Sequence, residues 1–195
     1  LKISKPVARY FKDKDMEKYG KDFGRVALST KLPDDIGMSQ NGTKELKEIF
    51  ADTIVFSFPK PSILLKYLFS SAAKEDDIIL DFFAGSGTTG HAVMQLNAED
   101  GGNRKFILCQ IDEPIKKDKP AYKFCVENNL PPVISSITIE RLKRAGEKIT
   151  KEIKAQNDIP GLFEEDKKQV PDVGFKVFDS VEAPKLELDE SGQIS

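Results

Sequence analysis

One stretch restricts the fold more than any other. It runs Ile78-Ile79-Leu80, then Asp81-Phe82-Phe83-Ala84-Gly85-Ser86-Gly87-Thr88-Thr89-Gly90, then a helical pattern to about Leu96. A short, continuous apolar run is expected of a strand buried on both faces of a parallel sheet. Gly85, Gly87 and Gly90 satisfy G-x-G-x-x-G, a weak pattern that gains meaning between a strand and a helix. Glycine lets the chain turn tightly and lets a ligand touch backbone, the role read for Gly87. The unpaired N–H groups of the helix start would face that ligand. After a turn at Asp100-Gly101-Gly102-Asn103, Phe106-Ile107-Leu108-Cys109-Gln110-Ile111 reads as a second buried strand. Strand, glycine loop, helix and strand make a βαβ unit, so the expected fold is α/β and Rossmann-like.

The nearby carboxylates narrow the ligand. Asp112 or Glu113, just past the second strand and about 20 residues beyond the loop, could accept both ribose hydroxyls of an adenosine. Asp81 ends the first strand. A carboxylate there repels a pyrophosphate and suits a cation, such as the amino group of a methionyl moiety. The loop is therefore expected to take S-adenosylmethionine rather than NAD. A P-loop is excluded, because its Lys is absent and Thr88 follows Gly87 directly.

Elsewhere the signals are coarser. With 39% of 195 residues apolar, the chain can bury one sizeable core. Thirty basic against 32 acidic residues do not suggest a chain that coats nucleic acid on charge alone, although a local DNA contact stays open. No apolar run approaches the roughly 20 residues of a membrane span. Cys109 and Cys125 are not spaced as a metal knuckle or redox pair; both are expected as buried thiols in a cytoplasmic protein. Residues 1–42 carry turn signals, among them Asn41-Gly42, and read as irregular. Thr43 should open a short helix with Leu46, Ile49 and Phe50 on one face, and 53–58 should be extended until Pro59 and Pro61. Ser62 should cap a helix over Ile63–Ala72. Beyond Pro114 the chain reads as irregular until a helix at 136–154 with Ile139, Leu142, Ala145, Ile149 and Ile153 on one stripe. A charged linker over 155–171, a strand at Gly174–Phe178 and a frayed acidic tail should follow.

At its glycine loop the sequence resembles the amino-methyltransferases of DNA restriction-modification systems. The Asp81-Phe82-Phe83 form, where many relatives have Pro in place of Phe82, resembles the modification subunits of type III systems. Asn41–Leu46, Phe58-Pro59-Lys60-Pro61, Gly101–Leu108 and Ile137–Ala145 are similar to that family as well. The resemblance covers roughly residues 20–180. It implies a Rossmann-like S-adenosylmethionine-dependent methyltransferase fold, this chain holding the cofactor-binding part of a three-layer sheet. It implies methyl transfer to adenine N6 in duplex DNA, with the target base flipped out of the stack. Asp81, Phe83, Gly85, Ser86, Gly87 and Thr88 would surround the methionyl and ribose parts. Glu113 would hold the ribose, with Asp112 as the fallback, and Ser57, Phe58 and Lys60 would complete the pocket.

In permuted members of that family a D-P-P-Y-type catalytic tetrapeptide precedes the cofactor loop. Here the only Pro pair, Pro131-Pro132, lies between Leu130 and Val133. With Leu1 at its start, the chain is expected to be the C-terminal part of a modification subunit, without catalytic residues of its own and inactive alone. Residues 1–42 would be a lead-in from the upstream region, 43–155 the S-adenosylmethionine-binding α/β domain, and 156–195 a linker, a candidate late strand and an acidic tail. Implied partners are duplex DNA through the full-length protein, a second modification subunit in a homodimer, and a restriction (helicase-nuclease) subunit. The alternative function is a non-catalytic nucleotide-binding Rossmann-like module, which an upstream D-P-P-Y tetrapeptide would distinguish. His91, the only histidine, cannot make a metal site alone and is expected at the surface or behind the site. Arg141, Lys143, Arg144, Lys148, Lys151 and Lys154 read as a solvated basic helix, with a DNA-backbone face as the sharper reading. Phe175 and Phe178 read as strand packing.

Overall fold

A computed structural model describes residues 38–159 and 167–180, together with Leu32 and Ile36. In chain order the elements are α1 (Ser39–Ile49), α2 (Ser62–Ala72), β1 (Ile78–Asp81), α3 (Thr88–Asp100), β2 (Lys105–Leu108), α4 (Pro120–Glu127) and α5 (Ile134–Asn157). β1 and β2 pair in parallel, with Ile78 opposite Lys105 and Asp81 opposite Leu108. Parallel neighbours need a crossover, and α3 supplies it. The fold is α/β.

α3 is buried on nearly every side because α2, α5 and β2 all pack on it. Gly90 makes that possible: a Cβ there would lie 2.6 Å from Leu142 Cδ2 and 3.2 Å from Leu108 Cδ1. Phe106 and Leu108 join Met94, Leu142, Ile149 and Ile153 in one apolar cluster. A second cluster gathers Leu46, Ile49, Phe50, Val55, Phe124, Cys125 and Ile137. In it Phe50 meets Phe124 edge to face at 5.2 Å, and the Arg144 guanidinium lies 5.1 and 5.2 Å from the two ring centroids. Helices cover one face of the sheet among the described residues. On the other face Ile78, Leu80 and Ile107 are 62%, 48% and 51% exposed, which corrects the expectation of strands buried on both faces.

Several local expectations need correction. α1 begins at Ser39, so Asn41-Gly42 is helical rather than a turn. Gly42 serves close approach instead: a Cβ there would fall 2.2 Å from the Pro59 carbonyl oxygen. Residues 53–58 form no strand; Val55 anchors them in the core while Phe58 takes a left-handed φ of 56°. Ser62 does not cap α2 from outside. It is the first helical residue, and its N–H donates to Glu45 Oε2 at 3.1 Å. β2 stops at Leu108, and Cys109 is exposed while Cys125 is buried. α4 was not expected, although Pro120 at its first turn is a helix-start signal. Gly174–Phe178 pairs with no strand among the described residues; Val173 and Phe175 pack against the α5 cluster, and Phe178 is exposed. Most of the lead-in, residues 160–166 of the linker and the tail from 181 lie outside the described residues.

Candidate functional site

The glycine loop joins β1 to α3, and its shape follows from its hydrogen bonds. The Asp81 carboxylate accepts the Phe83 N–H at 2.9 Å and the Thr89 hydroxyl at 2.6 Å, so the acid at the strand end clamps both limbs of the loop. Cys109 N–H donates to Asp81 O at 2.8 Å and Ala84 N–H to Cys109 O at 3.1 Å. Gly85 N–H donates to Gln110 Oε1 at 2.7 Å. Gly85 and Gly87 have φ of 53° and 79°, the left-handed region that glycine enters freely.

Gly87 serves the fold in a way the sequence did not suggest. A Cβ there would lie 3.2 Å from both Thr138 Cγ2 and Thr138 O on α5. The position faces a packed helix, so a larger side chain would meet protein first. Gly85 would place its Cβ 3.3 Å from Phe56 Cζ, and the Thr88 hydroxyl donates to Lys60 O at 3.2 Å. Those two contacts bring the 56–60 segment beside the loop. Ser57, Phe58 and Lys60 are exposed there, as is Phe83 on the loop, and Phe58 and Phe83 are 87% and 91% open. Such exposed rings beside a strained backbone make an apolar rim.

The two candidate ribose acids are bonded to residues outside the loop. Glu113 is exposed, and its backbone is tied to Ile111 and Ile134. Asp112 accepts a hydrogen bond from the Ser135 hydroxyl. Of the residues just past β2, it is Gln110, absent from the expected site residues, whose side chain bonds the loop.

Behind the loop lies a buried polar network. The Arg141 side chain is fully enclosed, correcting its place on a solvated basic face. Its Nη1 donates to Ser86 Oγ at 2.9 Å and Thr88 Oγ1 at 2.7 Å. Its Nη2 donates to Glu45 Oε2 at 3.1 Å and approaches His91 Nδ1 at 3.3 Å. The hydroxyls of Ser86 and Thr88 thus point into protein. A sequence signal existed: Arg141 falls three residues after Thr138 and four before Ala145, on the helical stripe turned inward.

His91 is buried rather than at the surface. Burial first, then the charges of Arg141, Lys148 and Lys66, lower its pKa from 6.5 to about 3. Glu45 Oε1 lies 3.5 Å away, but that carboxylate already serves Arg141, and the imidazole is neutral at pH 7. The sign follows: an unfolded His91 takes its proton near pH 6.5, the folded one only near 3. Stability from this group is complete above pH 6.5 and falls as pH drops towards 3, by up to about 1.4 kcal/mol per pH unit. Urea melts at pH 5 and pH 7 should show that loss, and His91→Gln should flatten it. An equal pH dependence in the variant would place the titration elsewhere.

With this geometry in place, comparison with known proteins gives a consistent result. The DNA methylase family model matches residues 4–121. The chain is 42% identical over 134 residues to the type III restriction-modification enzyme StyLTI Mod subunit of Salmonella typhimurium, covering 69% of this chain and 20% of that protein. It is 39% identical over 127 residues to the type II methyltransferase M.KpnI of Klebsiella pneumoniae, covering 65% and 29%. Against the EcoPI Mod subunit of Escherichia phage P1 it is 39% identical over 128 residues, covering 63% and 19%. The chain belongs to the DNA methylase family, and its resemblance to type III modification subunits holds. It spans only 19–29% of the length of these relatives. No helix among the described residues is long and apolar enough to cross a membrane.

Proposed function

We propose that this chain is the S-adenosylmethionine-binding part of a site-specific DNA methyltransferase that transfers a methyl group to adenine N6 in duplex DNA. One observation carries the proposal: in a DNA methylase chain, the β1–α3 junction is a glycine loop with an acid at its root. The residues present fit such a cofactor in three ways. Each Asp81 carboxylate oxygen keeps acceptor capacity beyond its one loop contact and can face a cationic amino group. Phe83 and Phe58 offer exposed apolar faces for a purine. The first-turn N–H groups of α3 have no partner within the helix.

When bound, the cofactor supplies an electrophilic methyl group. Asp81, Phe83, Gly85, Gly87 and the backbone of Ser86 and Thr88 would cradle the methionyl and ribose parts, with Ser57, Phe58 and Lys60 along the rim. Glu113 remains the proposed ribose acid, and Gln110 is the nearer hydrogen-bonding group at the strand tip. The exposed apolar face of β1 and β2 supports a further layer, as a three-layer Rossmann-like sheet requires. No acid-Pro-Pro-aromatic tetrapeptide occurs in these 195 residues. The group that holds the target amine would therefore lie elsewhere in the whole protein, along with most target-reading residues. Duplex DNA, a second modification subunit and a restriction subunit are the proposed partners, in the cytoplasm. A non-catalytic nucleotide module is disfavoured by the carboxylate at the loop root.

Ultraviolet crosslinking with tritiated S-adenosylmethionine tests this. Label should fall on peptides from 57–60 or 81–113 and be chased by S-adenosylhomocysteine but not by NAD. Label elsewhere, or equal chase by NAD, would remove the proposal.

A further inference from the structure

The network behind the loop contains a charged group that packing alone does not explain. Arg141 occupies a position on α5 between Thr138 and Ala145, where its neighbours on the same face are buried and mostly small or apolar. Enclosing a guanidinium carries a large desolvation cost unless its partners are well placed. Its Nε has no partner among the described residues, so the hydrogen bonds it does make must be the reason for the group. They divide by nitrogen. Nη2 faces Glu45 on α1 and His91 on α3. Nη1 faces only the loop and its helix entry, through Ser86 Oγ and Thr88 Oγ1. One turn earlier, the Thr138 hydroxyl donates to Gly85 O at 2.6 Å. α5 thus grips the loop at 85, 86 and 88, through bonds separate from the Asp81 and Gln110 contacts.

We propose that Arg141 is a positioning residue for the glycine loop, its Nη1 holding the loop in ligand-ready shape while Glu45 anchors its Nη2. The inference rests on reading the loop as a cofactor cradle. The fork geometry matters: a planar guanidinium can hold two hydroxyls on one nitrogen and a carboxylate on the other, which a single ammonium cannot reproduce at once. Because Glu45 belongs to α1 and Arg141 to α5, the loop's shape depends on how these two helices sit together. The charge persists at neutral pH; burial lowers the Arg141 pKa to about 10, and Glu45 works against that fall.

The experiment compares four forms of the 195-residue chain: wild type, Arg141→Met, Arg141→Lys and Arg144→Met. Arg144 is the control, since it stacks on Phe50 and Phe124 and bonds Glu140 without touching the loop. Amide hydrogen exchange is followed at 84–90 and at 145–153, beside the affinity for S-adenosylhomocysteine and the melting temperature. Arg141→Met should raise exchange at 84–90 at least tenfold more than at 145–153 and weaken the ligand at least tenfold. Arg141→Lys should recover part of both. Arg144→Met should lower the melting temperature but leave loop exchange and affinity within about twofold of wild type. If loop exchange and affinity merely follow the melting temperature across all variants, Arg141 is only a stabiliser and the proposal falls. Should wild type fail to bind while Arg141→Met still loosens the loop selectively, the cofactor reading fails and the positioning role stands. If Arg141→Met does not fold, Ser86→Ala with Thr88→Val removes the Nη1 acceptors instead, with the same loop result expected and its absence equally decisive.

Discussion

Gly42→Ala is expected to destabilise the chain by about 3 kcal/mol, the upper end of the usual range for forcing an atom into packed space. The new Cβ would sit 2.2 Å from the Pro59 carbonyl oxygen and 2.8 Å from the Lys60 carbonyl carbon. Both are backbone atoms, so no side-chain rotation relieves the clash. Either α1 or the Pro59–Lys60 segment must shift, and that segment also holds the loop through Lys60 O and Thr88. Alanine's better helix propensity returns at most about 1 kcal/mol. Gly101→Ala makes a useful contrast. Its φ is 75° and nothing lies within 4 Å of its Cβ, so only the left-handed backbone counts, at about 1–2 kcal/mol. Urea midpoints of the two variants measure the difference. A Gly42→Ala loss below that of Gly101→Ala would mean that α1 does not press on the 59–60 backbone.

Glu45→Ala should cost roughly 3 kcal/mol, the low end for removing one partner of a buried ion pair. The low end applies because the Glu45 side chain is 20% exposed whereas that of Arg141 is fully enclosed. The change strips the counter-charge from Arg141 and the acceptor from the Ser62 N–H and hydroxyl together. Three helices are affected at once: α1, α2 and α5. Raising the salt concentration should alter the wild-type stability little, because a pair this enclosed is weakly screened. Chemical denaturation at low and high salt is the check. A loss under about 1 kcal/mol would show that water reaches Arg141 when Glu45 is gone.

The parts read correctly from residues alone are those whose signal is local. The run Ile78-Ile79-Leu80, the glycine spacing at 85, 87 and 90, and the apolar stripe of α5 each contain their own evidence. What escaped depends on distant contacts. Asn41-Gly42 has the composition of a turn, yet it lies within α1, and its glycine answers to the Pro59 backbone 17 residues away. α4 was missed because only Ala121, Phe124 and Cys125 are buried along it, too few to set a helical period against the charged residues before them. Phe175 and Val177 alternate as a strand would, but no strand pairs with them among the described residues, so the alternation builds no ladder there. Charge groups Arg141 with its basic neighbours, whereas its helical position separates it from Lys143, Lys151 and Lys154. The glycine spacing points to ligand contact alone, whereas Gly87 and the hydroxyls of Ser86 and Thr88 also answer to α5 behind them.

Calorimetric titration of the chain with S-adenosylhomocysteine, S-adenosylmethionine and NAD tests the cofactor assignment most directly. One site per chain should bind the first two, NAD should give no heat of binding, and Asp81→Ala should weaken both adenosyl ligands by at least tenfold. Binding of NAD with equal affinity, or adenosyl binding that survives Asp81→Ala unchanged in a folded variant, would contradict a methyl-donor site at the β1–α3 loop.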